Sequence, residues 1–193
     1  MITPRPVPLA LTYEDYLGFP DDGKRHELLE GEHMMTPAPS AFHQLVVGEL
    51  AHAFKSFLEG RALGMVLTAP IDVILSPTDV VQPDVCFVRQ ERLAIVTRRG
   101  LEGAPDLMVE VLSPTTRQTD ETTKLHVYAK RGVGEYWIVD LEERTLRCLR
   151  WSEAGYRPQD ERRFAGGDVL TTALLPGFQL PLDSLFRDLD RLL

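Results

Sequence analysis

Two acidic residues stand in otherwise apolar, strand-like runs of the sequence. Asp84 lies within the run Val-Val-Gln-Pro-Asp-Val-Cys-Phe-Val, and Glu110 lies within Asp-Leu-Met-Val-Glu-Val-Leu. Because burial of an ionised carboxylate without a partner costs several kcal/mol, each of these two charges needs a compensating partner if it is buried. On adjacent strands the two acids could offer four oxygens to one hard cation. The alternative for each acid is a position at a strand end, paired with an arginine.

The elements that must position these acids follow from the apolar periodicity and the turn signals. We predict two short strands around a Glu30-Gly31 turn, a long amphipathic helix, three strand-like runs, a helix that ends at Gly132 and a hairpin. Their predicted ranges are 25–37, 37–60, 65–75, 80–88, 106–112, 119–131 and 135–151. A short helix at 12–19 precedes them, and a short strand and a closing helix within 174–193 follow. This order predicts an α/β or α+β fold with a mixed β-sheet flanked by helices.

Length and charge limit the classes of function. The 193 residues suit one domain, 1–193, with the Pro-rich residues 1–11 as an N-terminal arm. There are 29 acidic and 21 basic residues, which gives a net charge of −8. Since neutralisation of phosphates supplies most non-specific affinity for nucleic acid, DNA binding would have to come from a local basic patch, bound cations or a partner.

Several other classes are disfavoured by the sequence. No apolar stretch approaches the roughly 18 residues that span a bilayer, and no signal peptide is evident, so we expect a cytoplasmic protein without membrane association. Cys86 and Cys148 lie in apolar runs and lack metal or redox spacing. We therefore expect buried thiols in a reducing compartment rather than a disulfide. No Gly-rich phosphate loop, HExxH motif or zinc-ribbon spacing is present, and we expect no organic cofactor.

The order of the motifs resembles a known family. Pro83-Asp84 on one strand and Glu110 on the next resemble the PD-(D/E)XK nuclease superfamily. The wider runs are similar to the Uma-two-type restriction endonuclease family over about residues 24–140: HELLEGE, a His-Gln helix start, PTDVVQPDVCFV, GAPDLMVEVLSPTT, KLHVYAKRGVGEYWIVD and the tail LLPGFQL. The resemblance implies a restriction-endonuclease-like core, a divalent metal (Mg²⁺ or Mn²⁺), DNA as substrate and a homodimer.

The lysine of the superfamily's motif is displaced in this chain. The motif places a lysine two residues after the second acid, on the same face of the strand, but residue 112 is leucine. Only four lysines exist: Lys24, Lys55, Lys124 and Lys130. The resemblance assigns the role to Lys124, on the helix after the Glu110 strand, where members of the family carry the displaced lysine. The alternative is an exposed helix lysine that pairs with Asp120 or Glu121.

Glu27 is the fourth candidate. It lies on the first predicted strand, and the resemblance implies an acid here that joins the site, binding metal directly or through water. The alternative is a surface carboxylate in a charged segment with Lys24 and Arg25. His43 and Gln44, at the start of the long helix, could reach the same cleft or act as polar caps.

The sequence therefore predicts a metal-dependent DNA endonuclease. Asp84, Glu110 and Glu27 would bind the metal, with the carbonyl of Val111 as a further ligand, and Lys124 would position or deprotonate the attacking water. Five arginines could guide the DNA backbone: Arg89, Arg92, Arg98, Arg99 and Arg117. Two alternatives stay open. One is a non-catalytic interaction or nucleic-acid-binding module with the nuclease fold, and the other is a metal-dependent hydrolase of RNA or a small phosphoester.

Overall fold

The apolar runs form fourteen short strands and five α-helices within residues 9–192, the part of the chain that the computed structural model describes. The strands are β1 (Arg25–Leu29), β2 (Glu32–Thr36), β3 (Gly64–Thr68), β4 (Val73–Ser76), β5 (Asp79–Val81), β6 (Val85–Arg89), β7 (Val96–Thr97), β8 (Gly100–Glu102), β9 (Leu107–Val111), β10 (Glu135–Asp140), β11 (Thr145–Arg150), β12 (Arg162–Phe164), β13 (Val169–Leu170) and β14 (Leu180–Pro181). The helices are α1 (Tyr13–Tyr16), α2 (Ala41–Leu58), α3 (Arg117–Thr119), α4 (Leu125–Lys130) and α5 (Leu182–Asp190). Residues 1–8 of the predicted arm and the last residue of the closing segment lie outside the described residues.

The strands form two six-stranded sheets and one small hairpin. The first sheet has the order β2-β1-β5-β4-β8-β7, the second has the order β12-β11-β10-β9-β6-β3, and β13 pairs with β14. Each large sheet contains one parallel pair, β4 with β8 and β9 with β10, among antiparallel pairs. The prediction of mixed β-structure flanked by helices is confirmed, although the strands are divided between sheets rather than joined in one.

The division arises where two predicted strands are each broken in two. The run 65–75 forms β3 in the second sheet and β4 in the first, and the run 80–88 forms β5 in the first sheet and β6 in the second. Pro70 and Pro83 lie in these breaks, and proline has no N–H to donate to a sheet ladder. Asp84 therefore lies in the crossing between the sheets, directly before β6, and the prediction that it lies inside a strand is wrong.

Two apolar clusters hold these layers together. In one, helices α2 and α5 cover the second sheet, and the Phe54 ring stacks on Trp137 and Phe178 with centroids 5.5 and 5.0 Å away. The other contains buried residues from both large sheets together with Val127 and Tyr128 of α4. The second cluster packs the two large sheets against each other, so residues from both sheets can line one site.

A π-helical turn, Asp120–Lys124, connects α3 to α4. The resulting helical segment spans 117–130, close to the predicted 119–131, and is followed by Gly132 at φ 74°. Asp120 and Lys124, at the two ends of this turn, are both buried. The Tyr136 hydroxyl donates to the Asp120 carbonyl at 3.1 Å. Helix α2 begins with a side-chain cap, because the Ser40 hydroxyl accepts a hydrogen bond from the His43 N–H at 3.2 Å.

No helix within residues 9–192 combines the length and the apolar character needed to cross a membrane.

Candidate active site

Four candidate residues from four different elements line one cavity of about 250 Å³. Glu27 comes from β1, Asp84 from the crossing between the sheets, Glu110 from β9 and Lys124 from the π-helical turn. All four side chains are buried. The alternatives of a surface carboxylate for Glu27 and of an exposed helix lysine for Lys124 are therefore excluded by the geometry. The loops after β2 and β9 form the walls above them.

Lys124 is the centre of the cluster. Its Nζ lies 3.0 Å from Glu110 Oε1, 3.2 Å from Glu27 Oε1 and 3.3 Å from Asp120 Oδ1. Burial alone would lower the pKa of this lysine, but the three carboxylates hold it well above its usual value. Lys124 is therefore an ammonium that donates hydrogen bonds. It does pair with Asp120, as the alternative reading of the helix expected, but inside the protein.

Asp84 is held by three donors. Arg25 Nη1 donates to Oδ1 at 2.8 Å, while the Val111 N–H donates to Oδ2 at 2.9 Å and His43 Nε2 lies 2.9 Å from Oδ2. Burial raises the pKa of the Asp84 carboxyl, but the hydrogen bonds from His43, Arg25 and Val111 outweigh it and leave the pKa below its usual value. Asp84 thus pairs with an arginine next to a strand end, as its alternative proposed, while also lining the cleft.

Glu110 has the opposite electrostatic environment. Its Oε1 accepts from Lys124 and from the Tyr128 hydroxyl, which is 2.8 Å away. Burial raises the pKa of Glu110 well above its usual value, against the attraction of Lys124 and with the help of the neighbouring acids. Glu27 Oε1 accepts the backbone N–H of Gln82 at 2.7 Å. The site therefore contains one carboxylate that favours ionisation and one that resists it.

The donor chemistry of the cleft fits a hard divalent cation. Four buried carboxylates (Glu27, Asp84, Glu110 and Asp120) face two permanent cations, Lys124 and Arg25. When every acid is ionised, two negative charges are left over, and one Mg²⁺ or Mn²⁺ ion would balance them. Within residues 9–192, no three His, Cys, Asp or Glu side chains are already arranged around a common ion position. One of the two side-chain cations would have to withdraw to open such a position.

Three neighbours of the site were missed by the sequence reasoning. Asp120 was considered only as a surface partner of Lys124, yet it is buried and its Oδ1 lies 3.3 Å from Lys124 Nζ inside the protein. Arg25 was considered only as a charged neighbour of Glu27. Its position two residues earlier on β1 was the available signal, since alternation places both on one face. Tyr128 carried no signal beyond apolar periodicity.

The other polar candidates are divided. His43 does reach the cleft, whereas Gln44 is exposed on the same helix. The arginines expected to guide DNA are mostly paired elsewhere: Arg89 and Arg92 with Asp106, Arg99 with Glu102, and Arg117 with Asp140. Arg98 lines a separate surface depression. None of these five arginines lines the cleft, so the basic groups within it are Arg25 and Lys124.

Comparison with known proteins identifies the family. The model of the Uma2 family, described as "Putative restriction endonuclease", matches residues 13–183. The chain belongs to the Uma2 family. The expected resemblance is thus confirmed, and the Uma2 match extends beyond residues 24–140 to include the helix before β1 and the start of α5.

A solved structure has a similar fold to this Uma2 protein. It is the crystal structure of a "putative nuclease belonging to DUF820" from Anabaena variabilis ATCC 29413, with a TM-score of 0.76. The two chains are 21% identical, and the match covers 92% of this chain and 98% of the other. At this identity the likeness shows the fold alone. No functionally curated protein matches the sequence.

Proposed function

We propose that this Uma2 protein is a metal-dependent endonuclease that hydrolyses phosphodiester bonds in DNA. The observation that carries the proposal is the Lys124 ammonium, buried in the cleft with its Nζ 3.0 Å from Glu110 Oε1 and 3.2 Å from Glu27 Oε1. A buried cation surrounded by carboxylates is costly to maintain for stability alone, which favours a role in binding or chemistry. The family and the fold support a nuclease.

Each residue of the cleft has a role in this proposal. Asp84, Glu110 and Glu27 would hold Mg²⁺ or Mn²⁺, with the Val111 carbonyl as a further ligand. The bound ion would lower the pKa of a coordinated water and offset charge that develops on the phosphate. Lys124, which remains protonated, would donate hydrogen bonds to a phosphate oxygen and orient the attacking water. The walls of the cleft would exclude bulk water from the reacting phosphate.

Two further features belong to the proposal. A homodimer would allow two clefts to cut the two strands of a duplex. The cysteines Cys86 and Cys148 are buried free thiols, which is consistent with a reducing cytoplasm.

Two alternatives are each favoured by specific observations. Leu112 takes the position of the strand lysine and is buried in the apolar cluster between the sheets, and the net charge is −8. Both features suit a non-catalytic module that keeps the nuclease fold. The second alternative is a hydrolase of RNA or of a small phosphoester, and the acidic charge suits the small phosphoester, which carries far fewer phosphates than a nucleic acid. Metal binding separates the first alternative from the proposal, and a substrate panel separates the second.

The test is a titration of Mn²⁺ by calorimetry, followed by cleavage of DNA, RNA and a small phosphodiester. We expect Asp84→Asn and Glu110→Gln to abolish both metal binding and DNA cleavage while the protein stays folded by circular dichroism. Glu102→Gln is the matched control, because Glu102 pairs with Arg99 on the surface away from the cleft. Metal binding that is absent, or that survives both cleft substitutions, would refute the proposal; RNA cleavage without DNA cleavage would redirect it.

A further inference from the structure

Arg25 competes with any cation for Asp84. Its Nη1 donates to Asp84 Oδ1 at 2.8 Å, and no other residue of the described chain donates to that oxygen. The other two donors of Asp84, the Val111 N–H and His43 Nε2, both contact Oδ2. Withdrawal of Arg25 alone would therefore free one complete carboxylate oxygen, and the remaining donors would keep the carboxylate oriented.

Arg25 is also the most displaceable of the three donors. The Val111 N–H is part of the backbone of β9, and the His43 side chain is 7% exposed. The Arg25 side chain is 19% exposed, ends in the cavity and makes a single hydrogen bond with Asp84 rather than a two-pronged one. The Nε and Nη2 groups of Arg25 donate to no residue within 9–192. Three of its N–H groups are thus available to a ligand in the cleft.

Arg25 is positioned to reach such a ligand. It lies two residues before Glu27 on β1, so both side chains project from the same face of the strand into the same cavity. A planar guanidinium matches the oxygens of a phosphate with two parallel hydrogen bonds. Lys124, the other basic group of the cleft, is already surrounded by three carboxylates. Arg25 is therefore the better placed of the two to bind a phosphate.

We infer that Arg25 is a displaceable side chain that occupies Asp84 Oδ1 before the metal binds and then binds a phosphate oxygen of the substrate. This role presupposes the metal-dependent nuclease activity proposed above. It gives Arg25 opposite effects on the two ligands. Arg25 weakens metal binding, because the cation must displace it, and it strengthens substrate binding. A residue with a purely structural role would not separate the two affinities in this way.

The test compares Arg25→Met, which removes the charge and keeps the length of the side chain, with Lys24→Met. Lys24 is the adjacent basic residue, is exposed and pairs with Asp22 outside the cleft, so it reports the general effect of one lost charge. Mn²⁺ affinity is measured by calorimetry without nucleic acid, and affinity for a fluorescent DNA duplex is measured in Ca²⁺. For Arg25→Met we expect Mn²⁺ to bind about tenfold more tightly, equivalent to about 1.4 kcal/mol, and DNA about tenfold more weakly. Lys24→Met should change neither affinity by more than about twofold.

Arg25→Lys provides a second variant, which keeps a cation next to Asp84 but lacks the planar guanidinium that can donate two parallel hydrogen bonds. We expect near-native Mn²⁺ affinity and weakened DNA binding. Equal or weaker Mn²⁺ binding by a folded Arg25→Met protein overturns the inference, as does unchanged DNA affinity. If the wild type binds Mn²⁺ through Asp84 but Arg25→Met behaves like the wild type, only the role of Arg25 fails. If no variant shows Asp84-dependent Mn²⁺ binding, the proposed function itself fails.

Discussion

Replacement of Lys124 by methionine should destabilise the protein far more than a typical lysine substitution. The Nζ of Lys124 lies within 3.3 Å of carboxylate oxygens of Glu27, Glu110 and Asp120, and all four side chains are at most 5% exposed. Breaking a buried ion pair by removal of one partner costs about 3–5 kcal/mol. For a chain of this length each kcal/mol shifts Tm by about 2–4 °C, so we expect Tm to fall by about 6–20 °C.

The size of this loss should depend on pH. Burial is the main cause that raises the pKa of Glu110 in the folded protein. The contribution of Glu110 to the free energy of unfolding is therefore fully present below its unfolded pKa near 4.5, and it is lost as the pH rises through the folded pKa. Removal of the Lys124 charge raises that pKa further. The difference in Tm between the variant and the wild type should therefore be larger at about pH 8 than at about pH 5.

Differential scanning calorimetry measures this effect, and Lys130→Met is the matched control. Lys130 lies near the end of the same helical segment, is 48% exposed and pairs with the half-exposed Glu30. A surface pair of this kind contributes about 0–1 kcal/mol. If Lys124→Met and Lys130→Met have the same Tm at about pH 8, the buried ammonium does not stabilise the carboxylates and the reasoning is wrong.

Two further predictions concern groups outside the cleft. Burial raises the pKa of both Cys86 and Cys148 to about 12. We therefore expect neither thiol to react with an aromatic disulfide reagent until the protein is unfolded in denaturant. Rapid labelling of the native protein would contradict this prediction. Burial raises the pKa of Asp79, but the Glu30 N–H, Ser76 and Arg131 outweigh it and leave the pKa below its usual value. Asp79 therefore stabilises the fold above its unfolded pKa near 3.8, and this contribution is lost as the pH falls. Asp79→Asn should therefore flatten the acid side of the stability curve followed by circular dichroism, and an unchanged slope would show that Asp79 contributes nothing there.

Elements with strong local signals were predictable from the sequence. The apolar strand around Glu110 and the β10–β11 hairpin are found close to the ranges predicted for them. The predicted long helix is shortened at its start, where Ser40 caps it. The buried strands are short, almost continuous apolar runs, the helix has a period of 3.6 residues, and the ends of these elements are marked by turn or capping residues. The carboxylate of Glu110 was recognisable because a charge in an apolar strand requires a specific partner.

The remaining features depend on contacts that local patterns do not encode. Lys124 precedes the buried Val127 and Tyr128 by three and four residues, so helical spacing places it on the inward face, but this spacing does not show which carboxylates it meets there. Arg25 and Asp84 are 59 residues apart and meet only because the chain crosses between the sheets near Pro83. The displaced lysine was identified from the resemblance to the family rather than from physical reasoning about its own segment.

The cleft also has a consequence for how the protein unfolds. Glu27 belongs to the first large sheet and Glu110 to the second, with Lys124 between them. A ligand that engages both carboxylates would bind only when both sheets are folded and correctly packed. At a concentration one hundred times its Kd, such a ligand adds about 2.7 kcal/mol to the free energy of unfolding. Occupancy of the cleft would thus make the two sheets unfold as one cooperative unit, and partly unfolded forms would become rarer.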